Sequence, residues 1–446
     1  MGRTLSVSMK VVVTNTVLMN GGDAAILIAI RRQIRRALGD RVEIYVMDSQ
    51  SERARVLYPE LNIIEPPYVD ILPRKKGGFL RYARGAARYA RWYLGVPRLY
   101  AAARAVRSGR KGFARRITTR REWQAITHLH EADLVIGTGG TYLVENYWLG
   151  PTLLSFRIAL LLGKPLVLYT QSLGPFVSWH VRRTLRNIFR SASLILLRDK
   201  ESMSNLLELC SASEVHAHLA SDVAFSFADP DDLAQARRRP EKPSGIRVAI
   251  SVREWPYFRR VGAAGGMETY ANAVADTAEY LIAKHDASIT FLSTCQGISD
   301  YTYDDSIVAQ RVVARIGSQF RERVEINGDF HTPDELLGLL RGFDLVVATR
   351  MHMAILALVA GVPVIPIAYE FKTRALFERL GMREYVCDIE DVGGHALRDT
   401  AQRFLQALPH LRPTLFQKVE NERQHALEAA DHLVRVTQAI RKARPR

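Results

Sequence analysis

The chain has 446 residues with 48% hydrophobic and 9% aromatic content, which excludes a disordered protein and exceeds one ordinary core, so two domains are expected. The formal net charge is +16, yet the excess is local. Sixteen Lys or Arg and no acidic residue lie between Arg74 and Arg121, and the rest of the chain is balanced, a pattern that suits one anionic surface and argues against a general nucleic-acid binder.

In chain order, the start MGRTLSVSMKVVVTNT has an apolar run too short for a signal-peptide core and reads as a first strand. Further short buried-strand patterns follow at 133–140, 164–171, 194–200, 246–254, 288–295, 344–350 and 362–369, most of them leading through a loop into a helical pattern. Continuous apolar strands alternating with helices predict parallel sheets covered on both faces. The fold class is therefore α/β, with two doubly wound Rossmann-like domains facing a cleft. The first is expected over 1–228 and the second over 246–446. The linker falls at 229–245, where proline, glycine and charge interrupt the apolar period. The final segment, about Arg412 to Arg444, reads as one or two charged helices crossing back to the first domain.

Within the basic stretch, Phe79, Tyr82, Ala83, Ala86, Ala90 and Tyr93 share one helical face, and Arg81, Arg84, Arg88 and Arg91 the other. Such a helix suits an anionic membrane surface, with a helix packed on the first domain as the alternative. The longer apolar stretches are broken by charge, glycine or proline, so none is expected to span a bilayer. A cytoplasmic protein is expected, peripheral on the inner face of the plasma membrane under the first of these two readings of the helix. The three cysteines, Cys210, Cys295 and Cys387, are too far apart in the chain to suggest a disulfide framework or zinc site. No motif for a triad or metal centre is present, so no metal and no cofactor are expected.

The chemistry is expected on loops at the C-terminal ends of strands, where open parallel sheets bind ligands. In the first domain these are NGGD, with Asn20 and with Asp23 as a possible helix cap; GTGGTYLVEN, with Gly139, Gly140 and Glu145; QSLGP, with Gln171; RDKES, with Asp199 and Ser202 read as helix starters; and SDVAF, with Asp222. In the second domain, Arg253 ends a strand in AISVREWP. Arg350 and His352 stand where the strand DLVVAT meets an apolar helix, and Lys372 follows the next strand. Cations at a helix N-terminus form an anion pocket. Two guanidiniums facing one cavity suit a ligand with two separate anionic groups. The plainer reading pairs Arg350 and Lys372 with surface acids such as Glu370.

In this order and placement, NGGD, GTGGT, QSLGP, RD with Ser202, SDVAF, SVR and TRMH with a downstream Y-x-x-K resemble the polysaccharide pyruvyl transferase family over residues 11–372. The resemblance implies a fold similar to GT-B glycosyltransferases. It also implies transfer of a pyruvyl group from phosphoenolpyruvate to two hydroxyls of a sugar, giving a cyclic ketal. Arg253, Arg350 and Lys372 would then hold the donor, and His352 would be the acid. Asp222, Asp23 or Glu145 would be the base. Asn20, Gly139, Gly140 and Gln171 would contact substrate, and the acceptor would be a saccharide, in one form lipid-linked. The basic segment departs from the family pattern. Two other readings compete: a GT-B enzyme using a nucleotide sugar, for which Glu370 is the only nearby candidate for the carboxylate that would hold the nucleoside, and a non-catalytic protein docking through the basic helix.

Overall fold

The computed structural model describes residues 8–72, 81–242, 244–298 and 304–443, with the backbone alone at 81–89 and 443. These residues divide into two compact units. The first holds the residues up to Leu18, Ile26–Val223 and those from Ala426 on; the second holds Met19–Ala25 and Ala224–His425.

The first unit is built on strands β1 (Lys10–Thr16), β2 (Glu43–Asp48), β3 (Asn62–Ile64), β4 (Leu134–Gly137), β5 (Gly140–Leu143), β6 (Leu166–Leu173), β7 (Leu194–Leu197) and β8 (Ala217–Leu219). They run parallel in the order β3-β2-β1-β4-β6-β7-β8, with β5 paired to β6. β4, β6 and β7 are buried along their whole length, because helices cover both faces and leave no place for alternating polar residues.

The second unit carries β9 (Arg247–Ser251), β10 (Ser288–Phe291), β11 (Val324–Ile326), β12 (Leu345–Ala348), β13 (Val364–Ala368) and β14 (Cys387–Asp388), in the order β11-β10-β9-β12-β13-β14. This is the strand order of a dinucleotide-type doubly wound sheet. Its direction of winding reverses between β9 and β12, and ligands bind beyond the strand ends at that reversal. Arg253 follows β9 and Arg350 follows β12, so both stand beside the reversal point.

Several expectations need correction. The segment 229–245 is not all linker: Asp229 caps the helix Pro230–Arg238 through its Oδ1, which accepts from Asp231 N at 2.8 Å. The C-terminal segment is a single helix, Ala396–Ala443, that starts earlier than expected and runs through Pro409 and Pro413. Its residues through His425 belong to the second unit and those from Ala426 on to the first. The basic segment forms the helix Arg81–Arg107; Arg74, Phe79 and the side chains of Arg81, Tyr82, Ala83, Arg84, Ala86 and Arg88 lie outside the described residues. Where side chains are described, the expected apolar face is not the packed one. Ala90 and Tyr93 are exposed, whereas Trp92, Leu99, Ala102, Ala103 and Val106 are buried in the core of the first unit. Pro97 lies inside this helix, and Trp92 before it shares one core-facing register with Leu99, Ala102, Ala103 and Val106 beyond it. Among the described residues, no helix is long and apolar enough to cross a membrane.

Candidate functional site

In the second unit, β12 is followed by the buried Thr349, whose hydroxyl lies 2.7 Å from Tyr270 Oη. Arg350 follows at the N-cap position of the helix Met351–Val359. Every residue of that helix except His352 is buried. A helix apolar on all sides belongs in a core, and burying each Leu or Ile stabilises it by about 1.5–3 kcal/mol. The single polar side chain therefore marks the end that leaves the core.

Arg350 is 9% exposed, and Asp305 grips it as a bidentate fork: Nε donates to Oδ2 at 2.8 Å and Nη2 to Oδ1 at 2.7 Å. Asp305 is itself fixed, because Ser293 Oγ donates to its Oδ2 at 2.5 Å and its own N–H donates to Cys295 O at 2.8 Å. Burial opposes the charge on Arg350, but the Asp305 carboxylate more than offsets this and holds the guanidinium pKa well above its ordinary value. The plainer reading is right that Arg350 has an acidic partner, but that partner is buried and lies 45 residues upstream.

The NGGD stretch belongs to this unit, not to the first. Gly21 N donates to Thr294 O at 2.8 Å, and Cys295 Sγ donates to Asn20 Oδ1 at 3.3 Å. Asn20, not Asp23, caps the helix Gly21–Leu38: its Oδ1 accepts from Gly22 N at 3.0 Å, while Asp23 sits within the first turn. The glycines have a steric reason. A Cβ on Gly21 would lie 2.4 Å from Thr294 O, and one on Gly22 would lie 2.6 Å from His352 Nδ1. Gly22→Ala should displace the His352 ring, cost about 1–3 kcal/mol through overpacking and lower kcat. Gly338→Ala, with nothing near its Cβ in the helix Pro333–Leu340, should gain about 0.5–1 kcal/mol from helix propensity. Melting temperatures and turnover of the two variants check the contrast.

The Arg253 guanidinium lies 4.1 Å from the Tyr369 ring centroid and 5.3 Å from that of Trp255. Its Nε donates to Glu254 O at 3.2 Å, and among the described residues no carboxylate pairs with it. Tyr369 also adds to the electrostatic field that favours the charged form of Arg350. Lys372 follows the plainer reading: its Nζ is 2.7 Å from Glu370 Oε2.

Cys295, beside Asp305 and Asn20, is buried, and burial with the nearby Asp305 and Asp23 charges pushes its thiol up to about 11. The thiol is thus neutral in the folded protein where an unfolded one, near 9.0, begins to ionise. Its contribution to stability is present below pH 9 and is lost as pH rises toward 11. Alkylation of native protein should leave Cys295 unmodified at pH 8; mass mapping of rapid native labelling would contradict this.

In the first unit, the strand-end residues form a separate buried network organised by Arg198, which the sequence reading took only as part of the RD motif and gave no role of its own. Arg198 Nη1 donates to Asp222 Oδ2 at 2.5 Å, Nε to Ser172 Oγ at 2.7 Å and Nη2 to Thr141 Oγ1 at 2.9 Å. Asp199 caps the helix Lys200–Leu207, accepting from Ser202 N at 2.7 Å, as expected. Gln171 Nε2 donates to Gly137 O at 3.3 Å and also to Thr138 O, which ties β6 to the turn carrying Gly139 and Gly140. Glu145 accepts from Ser178 N at 3.0 Å. Asp222, Gln171 and Glu145 therefore all hold strand-end loops in place. The signal for Arg198 was its place after β7 and in the RD motif.

The polysaccharide pyruvyl transferase model matches residues 20–370. The chain belongs to this family. A curated relative, the amylovoran biosynthesis protein AmsJ of Erwinia amylovora, is 26% identical over 301 residues, covering 66% of this chain and 71% of that protein. Among solved structures, HepE of Anabaena in complex with UDP and glucose aligns over 97% of this chain and 98% of its own, with a TM-score of 0.51 and 14% identity. MnaA of S. aureus with UDP aligns over 92% and 91%, with a TM-score of 0.51 and 12% identity. At such identities the likeness concerns the fold alone: two Rossmann-like units of the GT-B kind. The pyruvyl transferase match runs from Asn20 to Glu370, so it takes in NGGD, Arg253, Asp305, Arg350 and His352.

Proposed function

We propose that this pyruvyl transferase uses phosphoenolpyruvate as donor and closes a cyclic ketal on two hydroxyls of a saccharide, free or lipid-linked. One observation carries the reading. Two guanidiniums follow the two strands at the reversal point of the second sheet: Arg253, stacked on Tyr369 and without a carboxylate partner among the described residues, and Arg350, locked by Asp305 beside a helix N-terminus. Phosphoenolpyruvate has two anionic groups, one for each guanidinium. The fork on Asp305 engages Nε and Nη2 of Arg350 and leaves its Nη1 donors for the phosphate, which the first N–H groups of the helix Met351–Val359 also suit. Arg253 takes the carboxylate. Lys372, paired with Glu370, adds charge at the edge.

In this scheme His352 delivers a proton to C3 of the enol, and C2 gains oxocarbenium character. A sugar hydroxyl bonds to C2 and loses its proton. The bond from C2 to the phosphate oxygen then breaks, and inorganic phosphate leaves with that electron pair. The adjacent hydroxyl bonds to C2, loses its proton and closes the ring. The sum is phosphoenolpyruvate plus a diol giving ketal plus phosphate. Of the three carboxylates considered as base, Asp23 is favoured, since it follows Gly22 against the His352 ring. Asp222 is engaged by Arg198 and Glu145 by Ser178. Saccharide contacts at Asn20, Gly139 and Gly140 belong to the same proposal.

Mass spectrometry tests the product. Incubation with phosphoenolpyruvate and a panel of glycosides should add ~70 Da to the acceptor with release of phosphate, whereas hexosyl transfer from a nucleotide sugar adds ~162 Da, as the substrate chemistry dictates. A gain of the larger mass would overturn the reading.

A further inference from the structure

Six of the ten large apolar side chains exposed among the described residues of the first unit lie on three segments, the other four being Val56, Phe113, Leu207 and Leu219. Tyr93 and Leu94 project from the helix Arg81–Arg107, with Leu94 76% exposed; Tyr147 and Trp148 follow β5; Val177 and Trp179 follow β6, at 81% and 69% exposure. Packing joins the three. Trp92, turned inward beside Tyr93, meets Trp148 edge-on with ring centroids 4.7 Å apart, and Glu145 holds Ser178 through both its N–H and its hydroxyl. Exposed apolar side chains gathered on linked segments in this way mark an interaction site.

Composition and charge identify the occupant. Leu94 and Val177 are aliphatic, so they offer no flat π-face to a sugar, and the aromatic residues beside them have the amphipathic character found at membrane–water boundaries. Arg91, next to Trp92, and Arg183, one turn along from Trp179, are exposed, and among the described residues neither has a carboxylate partner. The helix belongs to the stretch from Arg74 to Arg121 that has sixteen basic and no acidic residues. Apolar tips that enter the acyl boundary, with cations at headgroup level, are the makings of interfacial binding to anionic lipid. We propose that this three-segment ridge docks the protein peripherally on an anionic bilayer. The docking does not depend on the pyruvyl donor. It also differs from the amphipathic-helix expectation, since the apolar contact is spread over three segments and Trp92 faces the core.

Flotation of the full chain with vesicles tests it. The protein should rise with vesicles of phosphatidylcholine and phosphatidylglycerol and stay behind with phosphatidylcholine alone. L94E/V177E/W179E should reduce the partition coefficient about tenfold, and V177E alone about threefold, since binding scales with buried apolar area. All three side chains are largely exposed, so the melting temperature should hold. The proposal is overturned if wild type ignores the anionic vesicles, or if the triple variant floats as wild type does, which would leave charge alone as the cause. It is equally overturned if soluble oligosaccharides change the tryptophan fluorescence while anionic vesicles do not, which would make the ridge a sugar platform.

Discussion

His352→Asn should lower kcat for pyruvyl transfer by about 100- to 10,000-fold, the range for loss of a positioned general acid, while phosphoenolpyruvate binding changes little. The split follows from placement. His352 is the single side chain of its helix that is not fully buried, so its replacement by a smaller polar side chain disturbs packing less than at any other position of that helix, and the donor's anionic groups are assigned to Arg253 and Arg350. Asparagine fills similar space against Gly22 but cannot deliver the proton. Single-turnover kinetics with and without saturating donor would separate the two effects. A variant with weakened donor binding and unchanged kcat would make His352 a binding residue.

Asp305→Ala should cost about 3–5 kcal/mol, because it leaves the buried Arg350 charge without its counter-ion, and it should abolish donor binding by releasing the guanidinium from its fork. Loss of stability alone does not prove a functional role. The companion variant, Asp305→Leu with Arg350→Met, replaces the ion pair with apolar side chains of similar volume, an exchange that is often neutral or stabilising. It should melt close to wild type and still fail to bind phosphoenolpyruvate. If the double variant retains turnover, the Arg350–Asp305 pair is structural and the donor site lies elsewhere. Arg350→Lys keeps the charge but cannot make the fork and should raise KM by about tenfold.

What was readable in the sequence follows the physics of each element. β4, β6, β12 and β13 are buried throughout, and the apolar runs that open or fill them announce them. β3, β8, β11 and β14 have two or three residues each and stand outermost in the two sheets; short edge strands carry too little pattern to see. Arg350 and His352 could be placed because a strand running into an apolar helix fixes where the first turn falls. Asp305 could not, since its role depends on β10 and β12 being brought together through β9. The glycines of NGGD signal a close backbone approach, but only the fold reveals that the approach is to His352 and Thr294. For Lys372, the adjacent Glu370 was decisive, and the local reading held.

Calorimetric titration with phosphoenolpyruvate tests the central claim most directly. Wild type should take up one equivalent, Arg253→Ala and Arg350→Ala should each weaken uptake by at least about tenfold, as expected for a lost charge-assisted contact, and UDP should give no heat. Uptake of UDP without uptake of phosphoenolpyruvate would contradict the account.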